Sequence, residues 1–322
     1  MLSTASRIYK QYAPYYAGQG GLMPRTSGSQ DRLTDLKEFG SDPGALQADT
    51  YIPKNFSKNG PLVVVLHGST QSAESYDLGS GWSALADECG IALLYPGQRK
   101  SNNPISSFNW FSSGDSRRGK GEPLSIRHMI EQVVKDHDID PTRVFITGMS
   151  SGGAMTSVML ATYPEVFAGG AIIAGLPYRS ADNLMEAVVR MKGYGGPSDS
   201  KLDALVRGAS TYEGPWPTIS VWHGGSDSTV DQANADSIVR QWQQVHNVEG
   251  SPTRVEQVDG FPRQVWCNTD GKEVIEEYII EGMGHGTPIM AVGDEGLGEE
   301  DKYMLEVGIS STRHIAHFWA LT

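Results

Sequence analysis

Short runs of apolar and β-branched residues alternate along the chain with longer segments whose apolar residues recur at helical spacing. The first run, PLVVVL at 61–66, is polar on neither face, which is typical of a strand buried on both sides of a sheet. Similar runs predict strands at 91–95, 144–147, 168–174, 217–222 and 274–280. Helices are predicted at 82–89, 124–137, 154–162, 233–246 and 313–320. This order predicts an α/β fold, with a mostly parallel central sheet and helices on both faces.

Two segments fall outside this alternation. Residues 1–44 are rich in Gly, Ser, Gln and Tyr and are interpreted as an N-terminal arm with a short helix near 6–12. Residues 45–322 are predicted to form a single α/β catalytic domain, in which a helical and loop insertion at about 176–216 separates two strands. No stretch approaches the roughly 18 consecutive apolar residues of a membrane span, so none is predicted.

Composition and charge narrow the classes of partner. Of 322 residues, 39% are hydrophobic and 20% are charged, which is ordinary for a globular protein with a sizeable core. The net charge of −12 repels phosphate backbones and anionic lipid surfaces, so neither nucleic acid nor a membrane is expected as a partner. No signal-peptide pattern opens the chain, so a cytoplasmic location is expected unless a signal was removed. The oligomeric state stays open.

Metal and cofactor sites find little support in the sequence. Cys89 and Cys267 lie far apart and form no CxxC pair, which favours two buried structural thiols over a disulfide or a metal site. The acidic run at 294–301 is interpreted as an exposed loop rather than a calcium site. No HExxH, GxGxxG or Walker motif occurs, so no metal and no cofactor are predicted.

The segment GMSSG at 148–152 is the only GxSxG pattern in the chain. A predicted strand precedes it and a helix of small residues follows, as a nucleophile elbow requires. The sharp turn would lift the Ser150 oxygen above the sheet, the flanking glycines would avoid a steric clash, and the helix N-terminus would add a positive dipole. The alternative is an ordinary Gly/Ser turn. Because the context fits the elbow, Ser150 is predicted to be a nucleophile.

A serine at neutral pH needs a base oriented by a carboxylate, and in this arrangement the acid and then the base follow the serine in the chain. Asp227 follows the strand that ends at Trp222 and is predicted to be the acid at the same sheet edge as Ser150; the alternative is a solvated turn or a helix N-cap. Among eight histidines, His285 stands in a glycine-rich turn after the last strand and is predicted to be the base. The other histidines fall on predicted helices or at strand ends, where packing or local roles suffice: His67, His128, His137, His223, His246, His314 and His317.

The oxyanion of a tetrahedral intermediate needs two backbone N–H donors. One is predicted to be the N–H of Ser151, directly after the nucleophile, and the other the N–H of Ser69, in the loop after the first buried strand. His67 is expected to brace this loop. Trp110, in the segment NPISSFNWF at 103–111, is predicted to be either an aromatic plate for substrate or a partly buried core residue.

Longer segments extend these motifs over nearly the whole chain, from about Phe39 to Trp319. They are LVVVLHGSTQ, FNWF, RRGKGEPLSIRHMI, DPTRVFITGMSSGGAMTSVMLATYPEVFAGGAIIAGLPY, WHGGSDSTV, GMGHG and GISSTRHIAHFW. Together they resemble the poly(3-hydroxybutyrate) depolymerase family of esterases, which is related to the feruloyl and acetylxylan esterases. The resemblance implies an α/β-hydrolase fold and a serine carboxylic-ester hydrolase without metal or cofactor. It supports the triad Ser150, Asp227 and His285, the oxyanion donors Ser69 and Ser151, and Trp110 as a substrate platform.

The resemblance leaves the ester substrate open. The function expected from it is hydrolysis of small-molecule or oligomeric esters, with short acyl chains or hydroxyalkanoate units such as 3-hydroxybutyrate oligomers. The alternatives are a feruloyl or acetylxylan esterase and, with less support, an inactive hydrolase-like binding protein. Many relatives carry cysteine at the positions of Ser69 and Ser107, so the resemblance implies one disulfide fewer here, which suits a reducing compartment.

Overall fold

A ten-stranded sheet forms the centre of the computed structural model, which describes residues 32–248 and 250–322. Its strands are β1 (Thr34–Asp35), β2 (Gln47–Tyr51), β3 (Leu62–Leu66), β4 (Ala92–Gly97), β5 (Val144–Met149), β6 (Gly169–Ile173), β7 (Thr218–Gly224), β8 (Arg254–Val258), β9 (Phe261–Cys267) and β10 (Glu273–Ile280). They lie in the order β1-β2-β4-β3-β5-β6-β7-β10-β9-β8. The six central strands, β4 to β10 in this order, are parallel, and the pairs at both edges are antiparallel. Two short strands, β11 (Thr287–Ile289) and β12 (Met304–Glu306), pair separately.

Eight α-helices are found in the described part of the chain, and they cover both faces of the sheet. They are α1 (Ala73–Ser80), α2 (Trp82–Cys89), α3 (Gly121–Asp136), α4 (Ser151–Thr162), α5 (Leu184–Met191), α6 (Asp199–Arg207), α7 (Ala233–His246) and α8 (Ser311–Phe318). Successive residues of a strand point to opposite faces. On β3, Val64 packs in one core cluster with residues of α3, α4 and α7, whereas Val63 packs in a second cluster with residues of α1, α2 and α8. The predicted sheet with helices on both faces is therefore confirmed.

Each of the six strands predicted from apolar runs is present, with ends within two residues of the expected positions. These six are the parallel central strands, which helices cover on both faces, and that burial is why their sequences are continuously apolar. The helix predicted at 154–162 begins earlier, at Ser151, because it starts directly after the turn that follows β5.

The hydrophobic pattern did not indicate the hairpin of β8 and β9, which lies at one edge of the sheet. Many of its side chains are exposed or half-buried, and charged residues contribute to its pairing. Arg263 on β9 forms ion pairs with Glu256 on β8 and with Glu276 on β10, each at 2.6 Å, and contacts Glu273 as well. Cross-strand charge pairs can stabilise a sheet edge that has no apolar run. For this reason the hydrophobic pattern does not predict the β8–β9 hairpin.

Residues 33–322 form one compact unit. This unit includes part of the predicted N-terminal arm, since β1 pairs with β2 and Phe39 is only 8% exposed in the core. Residues 1–31, with the helix expected near 6–12, lie outside the described residues. The predicted insertion at about 176–216 contains α5 and α6 and connects β6 to β7.

Three further expectations concern the cysteines, a metal site and a membrane span. Cys89 and Cys267 are both free and are half-buried rather than fully buried. In residues 32–248 and 250–322, no group of three or more His, Cys, Asp or Glu side chains is arranged to hold a metal ion. None of the helices described above is long and apolar enough to cross a membrane.

Candidate active site

The turn between β5 and α4 holds Ser150 in a backbone conformation that few L-residues adopt. Its φ is 56° and its ψ is −116°. The Ser150 N–H donates to the Ile173 carbonyl on β6 at 2.9 Å, and the Ser150 carbonyl accepts the N–H of Ala154 at 2.8 Å. Such a conformation persists only where the surroundings hold it in place. Here β6 and α4 do so, at the carboxyl edge of the parallel sheet where active sites of α/β folds form.

The first turn of α4 packs directly against the end of β3. A Cβ atom at Gly152 would lie 2.3 Å from the carbonyl oxygen of Leu66 and 2.6 Å from that of His67, so this approach of two backbone segments requires glycine. The same approach brings Ser151 next to Ser69, whose Oγ donates to Ser151 Oγ at 3.2 Å. The two residues whose N–H groups are predicted to be the oxyanion donors are therefore in side-chain contact, although their chain positions are 82 residues apart.

His285 connects the serine to a buried carboxylate. His285 Nε2 lies 2.9 Å from Ser150 Oγ, and His285 Nδ1 lies 2.6 Å from Asp227 Oδ2. The Asp227 side chain is fully buried, and 10% of the His285 side chain is exposed. With Nδ1–H donated to Asp227, Nε2 is left as the ring nitrogen that can accept a hydrogen bond from Ser150 Oγ. The structure thus brings together the three residues that the sequence predicted to act as nucleophile, acid and base.

Asp227 is held as an anion by its surroundings. Its Oδ1 accepts the backbone N–H groups of Thr229 and Val230 at 2.8 and 2.9 Å. Burial acts to raise the pKa of Asp227, but the hydrogen bond and charge of His285, together with the Val230 N–H, outweigh burial and lower that pKa below its ordinary value. Asp227 is therefore ionised at neutral pH.

The loops that carry Asp227 and His285 are joined by their backbones. The Ser226 N–H donates to the Met283 carbonyl at 2.9 Å. A Cβ atom at Gly224 would lie 2.3 Å from the carbonyl oxygen of Gly284, so only glycine allows the end of β7 to approach the loop after β10 this closely. This contact between backbones fixes the distance between the loop that carries Asp227 and the loop that carries His285.

His223 makes the local contacts expected of a histidine at a strand end. It is fully buried, and its Nε2 lies 2.8 Å from the Val230 carbonyl and 3.6 Å from Asp227 Oδ2. Burial lowers the pKa of His223, against the opposing effects of the Val230 carbonyl and the Asp227 charge, so its imidazole is neutral. His223 therefore supports the loop that carries Asp227.

The loop after β3 is supported by His67. This side chain is 1% exposed; its Nδ1 lies 2.8 Å from the Gly68 carbonyl and its Nε2 accepts the Gln98 N–H at 3.0 Å. Burial lowers the pKa of His67 to about 4, against the effect of the Gly68 carbonyl, so the neutral ring bridges two backbone groups.

Ser151, as the first residue of α4, has an N–H without a partner inside the helix.

Trp110 lies in the packed wall of the domain. It is 5% exposed, belongs to the same core cluster as Val64, and packs edge-on against Phe111 with ring centroids 5.4 Å apart. An exposed fraction this small is typical of a core residue. A role for this ring toward substrate stays a prediction.

One buried group near the site was not singled out by its sequence. Glu122, in the first turn of α3, is fully buried and accepts hydrogen bonds from Gln98 Nε2 and Asn109 Nδ2. An acidic residue in the first turn of a helix is common at exposed positions, where it complements the helix dipole. Its burial depends on the segments that cover it, and no local pattern in the sequence signals that.

Comparison with known proteins places the chain among esterases. The family model described as Esterase PHB depolymerase matches residues 47–253, which is more than half of the chain. The chain belongs to this family. The matched region contains Ser150 and Asp227, and His285 follows it. The resemblance inferred from the sequence motifs is confirmed.

Relatives of this PHB depolymerase family member carry the names of carboxylic-ester hydrolases. Poly(3-hydroxyalkanoate) depolymerase C from Paucimonas lemoignei is 42% identical over 302 residues, which is 93% of this chain and 73% of the relative. An acetylxylan esterase from Coprinopsis cinerea is 32% identical over 80% of this chain and 70% of its own. Feruloyl esterase B from Talaromyces funiculosus is 29% identical over 80% and 73%. The predicted enzyme class, a carboxylic-ester hydrolase, is confirmed.

Known structures of esterases share the fold of this family member. An acetyl xylan esterase from Aspergillus awamori superposes with a TM-score of 0.75 over 92% of this chain and 100% of its own, at 22% identity. A poly(3-hydroxybutyrate) depolymerase from Bordetella parapertussis superposes with a TM-score of 0.51 over 88% and 90%, at 15% identity. The predicted α/β-hydrolase fold is confirmed.

The contact at Gly152 yields a test of the site geometry. We expect Gly152→Ala to lower the free energy of unfolding by about 3 kcal/mol and to reduce ester hydrolysis, because the added methyl group must push α4 away from the end of β3. Urea unfolding and p-nitrophenyl acetate turnover measure the two effects. Gly114→Ala is the matched control, since a Cβ there meets only Ser112 Oγ at 3.6 Å. A Gly152→Ala protein as stable and active as the control would contradict this account.

Proposed function

We propose that the chain is a serine carboxylic-ester hydrolase in which Ser150 is the nucleophile, His285 the base and Asp227 the acid. The observation that carries this proposal is the unbroken hydrogen-bonded line from Ser150 Oγ through both ring nitrogens of His285 to Asp227, with separations of 2.9 and 2.6 Å. Donor and acceptor at such distances are in reach for direct proton transfer. Membership of an esterase family supports the same chemistry.

Acylation begins when Ser150 Oγ attacks the ester carbonyl carbon and its proton passes to His285 Nε2. The carbonyl π electrons move onto the oxygen, which we assign to the N–H groups of Ser69 and Ser151. The ionised Asp227 stabilises the imidazolium that forms. His285 then protonates the departing alcohol, and a water molecule activated by the same imidazole hydrolyses the acyl-enzyme to release the acid.

For the substrate we propose small-molecule or oligomeric esters with short acyl chains or hydroxyalkanoate units. The support is the relative named poly(3-hydroxyalkanoate) depolymerase, which is 42% identical over 93% of this chain. The mechanism uses side chains and backbone N–H groups of this chain alone, so we propose that it needs no metal and no cofactor.

A feruloyl or acetylxylan esterase is the second candidate. Relatives with these names are 29% and 32% identical over 80% of this chain, so the same chemistry serves esters of plant polysaccharides in similar proteins. An inactive hydrolase-like binding protein has less support, because Ser150, His285 and Asp227 are all present and hydrogen-bonded to one another.

Cysteine chemistry and charge guide our proposal for location and partners. Cys89 and Cys267 are both free, and free thiols suit a reducing compartment. The net charge of −12 opposes binding to nucleic acid and to anionic membranes. We therefore propose a cytoplasmic enzyme whose partner is its ester substrate.

Removal of the nucleophile is the direct test of the mechanism. Ser150→Ala should lower kcat for p-nitrophenyl acetate by about 10⁶-fold, the typical cost of losing the serine of a triad, and leave the thermal unfolding temperature unchanged. A serine-directed phosphonate should add covalently to the wild type alone. Ser157→Ala, which removes another buried hydroxyl from α4, should keep its activity. Residual activity of more than a few per cent in Ser150→Ala would refute the assignment.

The substrate is tested by a panel compared through kcat/KM. We expect 3-hydroxybutyrate oligomers and short p-nitrophenyl esters to be preferred over methyl ferulate and acetylated xylan, in line with the identity to the depolymerase relative. A preference of about tenfold corresponds to 1.4 kcal/mol of differential transition-state binding. Methyl ferulate or acetylated xylan as the better substrate by this factor would replace the first candidate by the second.

The role of Trp110 is tested by comparing a long substrate with a short one. Trp110→Ala should raise KM for 3-hydroxybutyrate oligomers more than for p-nitrophenyl acetate, because only the oligomer extends far enough to reach an aromatic plate beside the triad. A contribution of about 1–3 kcal/mol corresponds to roughly 5- to 150-fold in KM. Trp110→Phe keeps an aromatic ring in the wall and is the control for packing. Equal KM changes for both substrates, with a fall in thermal stability, would assign Trp110 to the core alone.

A further inference from the structure

A buried carboxylate lies at the junction of three segments near the active site. Glu122 accepts hydrogen bonds from Gln98 Nε2 at 2.6 Å, from the Asn109 backbone N–H at 2.9 Å and from Asn109 Nδ2 at 2.7 Å. Gln98 directly follows β4, Asn109 belongs to the 103–111 segment, and Glu122 lies in the first turn of α3. A buried carboxylate is tolerated only when donors satisfy it, and here three donors converge on it.

A first hydrogen-bonded path leads from Glu122 to the residues before Ser69. Gln98, whose amide donates to Glu122, also donates its backbone N–H to His67 Nε2 at 3.0 Å. His67 Nδ1 in turn lies 2.8 Å from the Gly68 carbonyl. The backbone directly before Ser69 is thereby tied to the carboxylate.

A second path leads from Glu122 to the residue after Ser69. Asn109 Oδ1 accepts a hydrogen bond from Asn103 Nδ2 at 2.9 Å, and Asn103 Oδ1 accepts the N–H of Ile105 at 3.2 Å. The Ile105 carbonyl then accepts the N–H of Thr70 at 2.7 Å. This path crosses from the 103–111 segment to the loop after β3.

Both loops contain strained backbone where the second path joins them. Thr70 has a φ of 70° and Ser106 a φ of 51°, although neither is glycine and Thr70 is β-branched. Strained conformations persist when the surrounding structure over-determines them, and they cluster at functional sites. The hydrogen bond between Thr70 and Ile105 holds the peptide unit that directly follows Ser69, and the contact of His67 Nδ1 with the Gly68 carbonyl holds the peptide unit that contains the Ser69 N–H.

We propose that Glu122 is a positioning residue for the oxyanion site, because two hydrogen-bonded paths from its carboxylate fix the backbone on both sides of Ser69. This inference rests on the proposed function, in which the Ser69 N–H stabilises the oxyanion. Glu122 touches no reacting atom and acts through Gln98, His67 and Asn109. It affects the transition state more than the bound ester, since the negative oxygen needs an accurately placed N–H.

The substitution Glu122→Gln tests the proposal with almost no change of volume. An amide keeps only one acceptor oxygen. It can satisfy either the Asn109 backbone N–H, which now bonds Oε2, or the Gln98 and Asn109 side-chain NH2 groups, which now bond Oε1, but not both sets of donors. Burial and the charge of Asp115 raise the pKa of Glu122 to about 8, against the hydrogen bonds from Asn109 and Gln98. Assays at pH values well above this pKa therefore compare the ionised wild type with the amide.

We expect Glu122→Gln to lower kcat for p-nitrophenyl acetate by about 10- to 100-fold, less than the complete loss of an oxyanion donor, while KM changes by less than about threefold. A trifluoromethyl ketone supplies the second readout. Ser150 Oγ adds to its carbonyl carbon, the π electrons move to the oxygen, and His285 takes the serine proton. The affinity for this adduct should fall by the same factor as kcat/KM, because both depend on oxyanion stabilisation.

The matched control is Glu277→Gln, which changes another buried glutamate, on β10, whose Oε2 accepts from Gln264. It should keep the kcat and the ketone affinity of the wild type. Gln98→Met cuts the first path and also removes the hydrogen bonds of the Gln98 amide with Ser107, Arg99 and Asn102. It should give a smaller fall of the same kind, and it is the variant to use if Glu122→Gln does not fold. Unchanged ketone affinity in either network variant, or a rise in KM with kcat unchanged, would overturn the proposal. If the wild type itself hydrolysed no ester, the proposed function would fail instead.

Discussion

The close approach of the first turn of α4 to the end of β3 is the contact on which the rest of the site depends. Gly152 makes it possible, since any side chain there would meet the Leu66 carbonyl at 2.3 Å. The approach forces the sharp turn that gives Ser150 its positive φ, and it puts Ser151 beside Ser69. The proposed nucleophile Ser150 and the proposed oxyanion residues Ser69 and Ser151 thus all lie next to one packing contact between backbones.

The order of the strands explains why the remaining groups arrive at the same place. β5, which leads to Ser150, lies between β3 and β6, and β7 and β10 follow on the side of β6. Because these strands are parallel, their carboxyl ends share one edge of the sheet. The loop after β3, which carries Ser69, therefore approaches Ser150 from the β3 side. The loops that carry Asp227 and His285 approach it from the other side.

Burial divides the polar residues around the site into two kinds. His67 and His223 are almost fully buried, which disfavours their charged forms, and each braces a loop as a neutral ring. Asp227 is also buried, yet backbone N–H groups and His285 compensate for the cost of its charge. The negative charge of Asp227 thus lies next to the His285 ring, while the neutral His67 and His223 add no competing positive charge. Relatives of this chain are named for different esters, so the fold by itself does not decide the ester substrate.

Periodicity and motif context were sufficient to predict the six central strands, most of the helices that cover them, and Ser150, Asp227 and His285 as candidates that the structure brings together, whereas α1 was not predicted. Each of these signals is local: a strand covered on both faces is apolar throughout, and the elbow needs its glycines within five residues. The sequence did not reveal the β8–β9 hairpin, the burial of Glu122 or the degree to which Trp110 is enclosed. Those properties depend on which distant segments cover a residue, as Gln98 and Asn109 cover Glu122. A local sequence pattern predicts the type of an element and which of its faces are buried. Contacts between segments far apart in the chain exist only once the tertiary structure has formed.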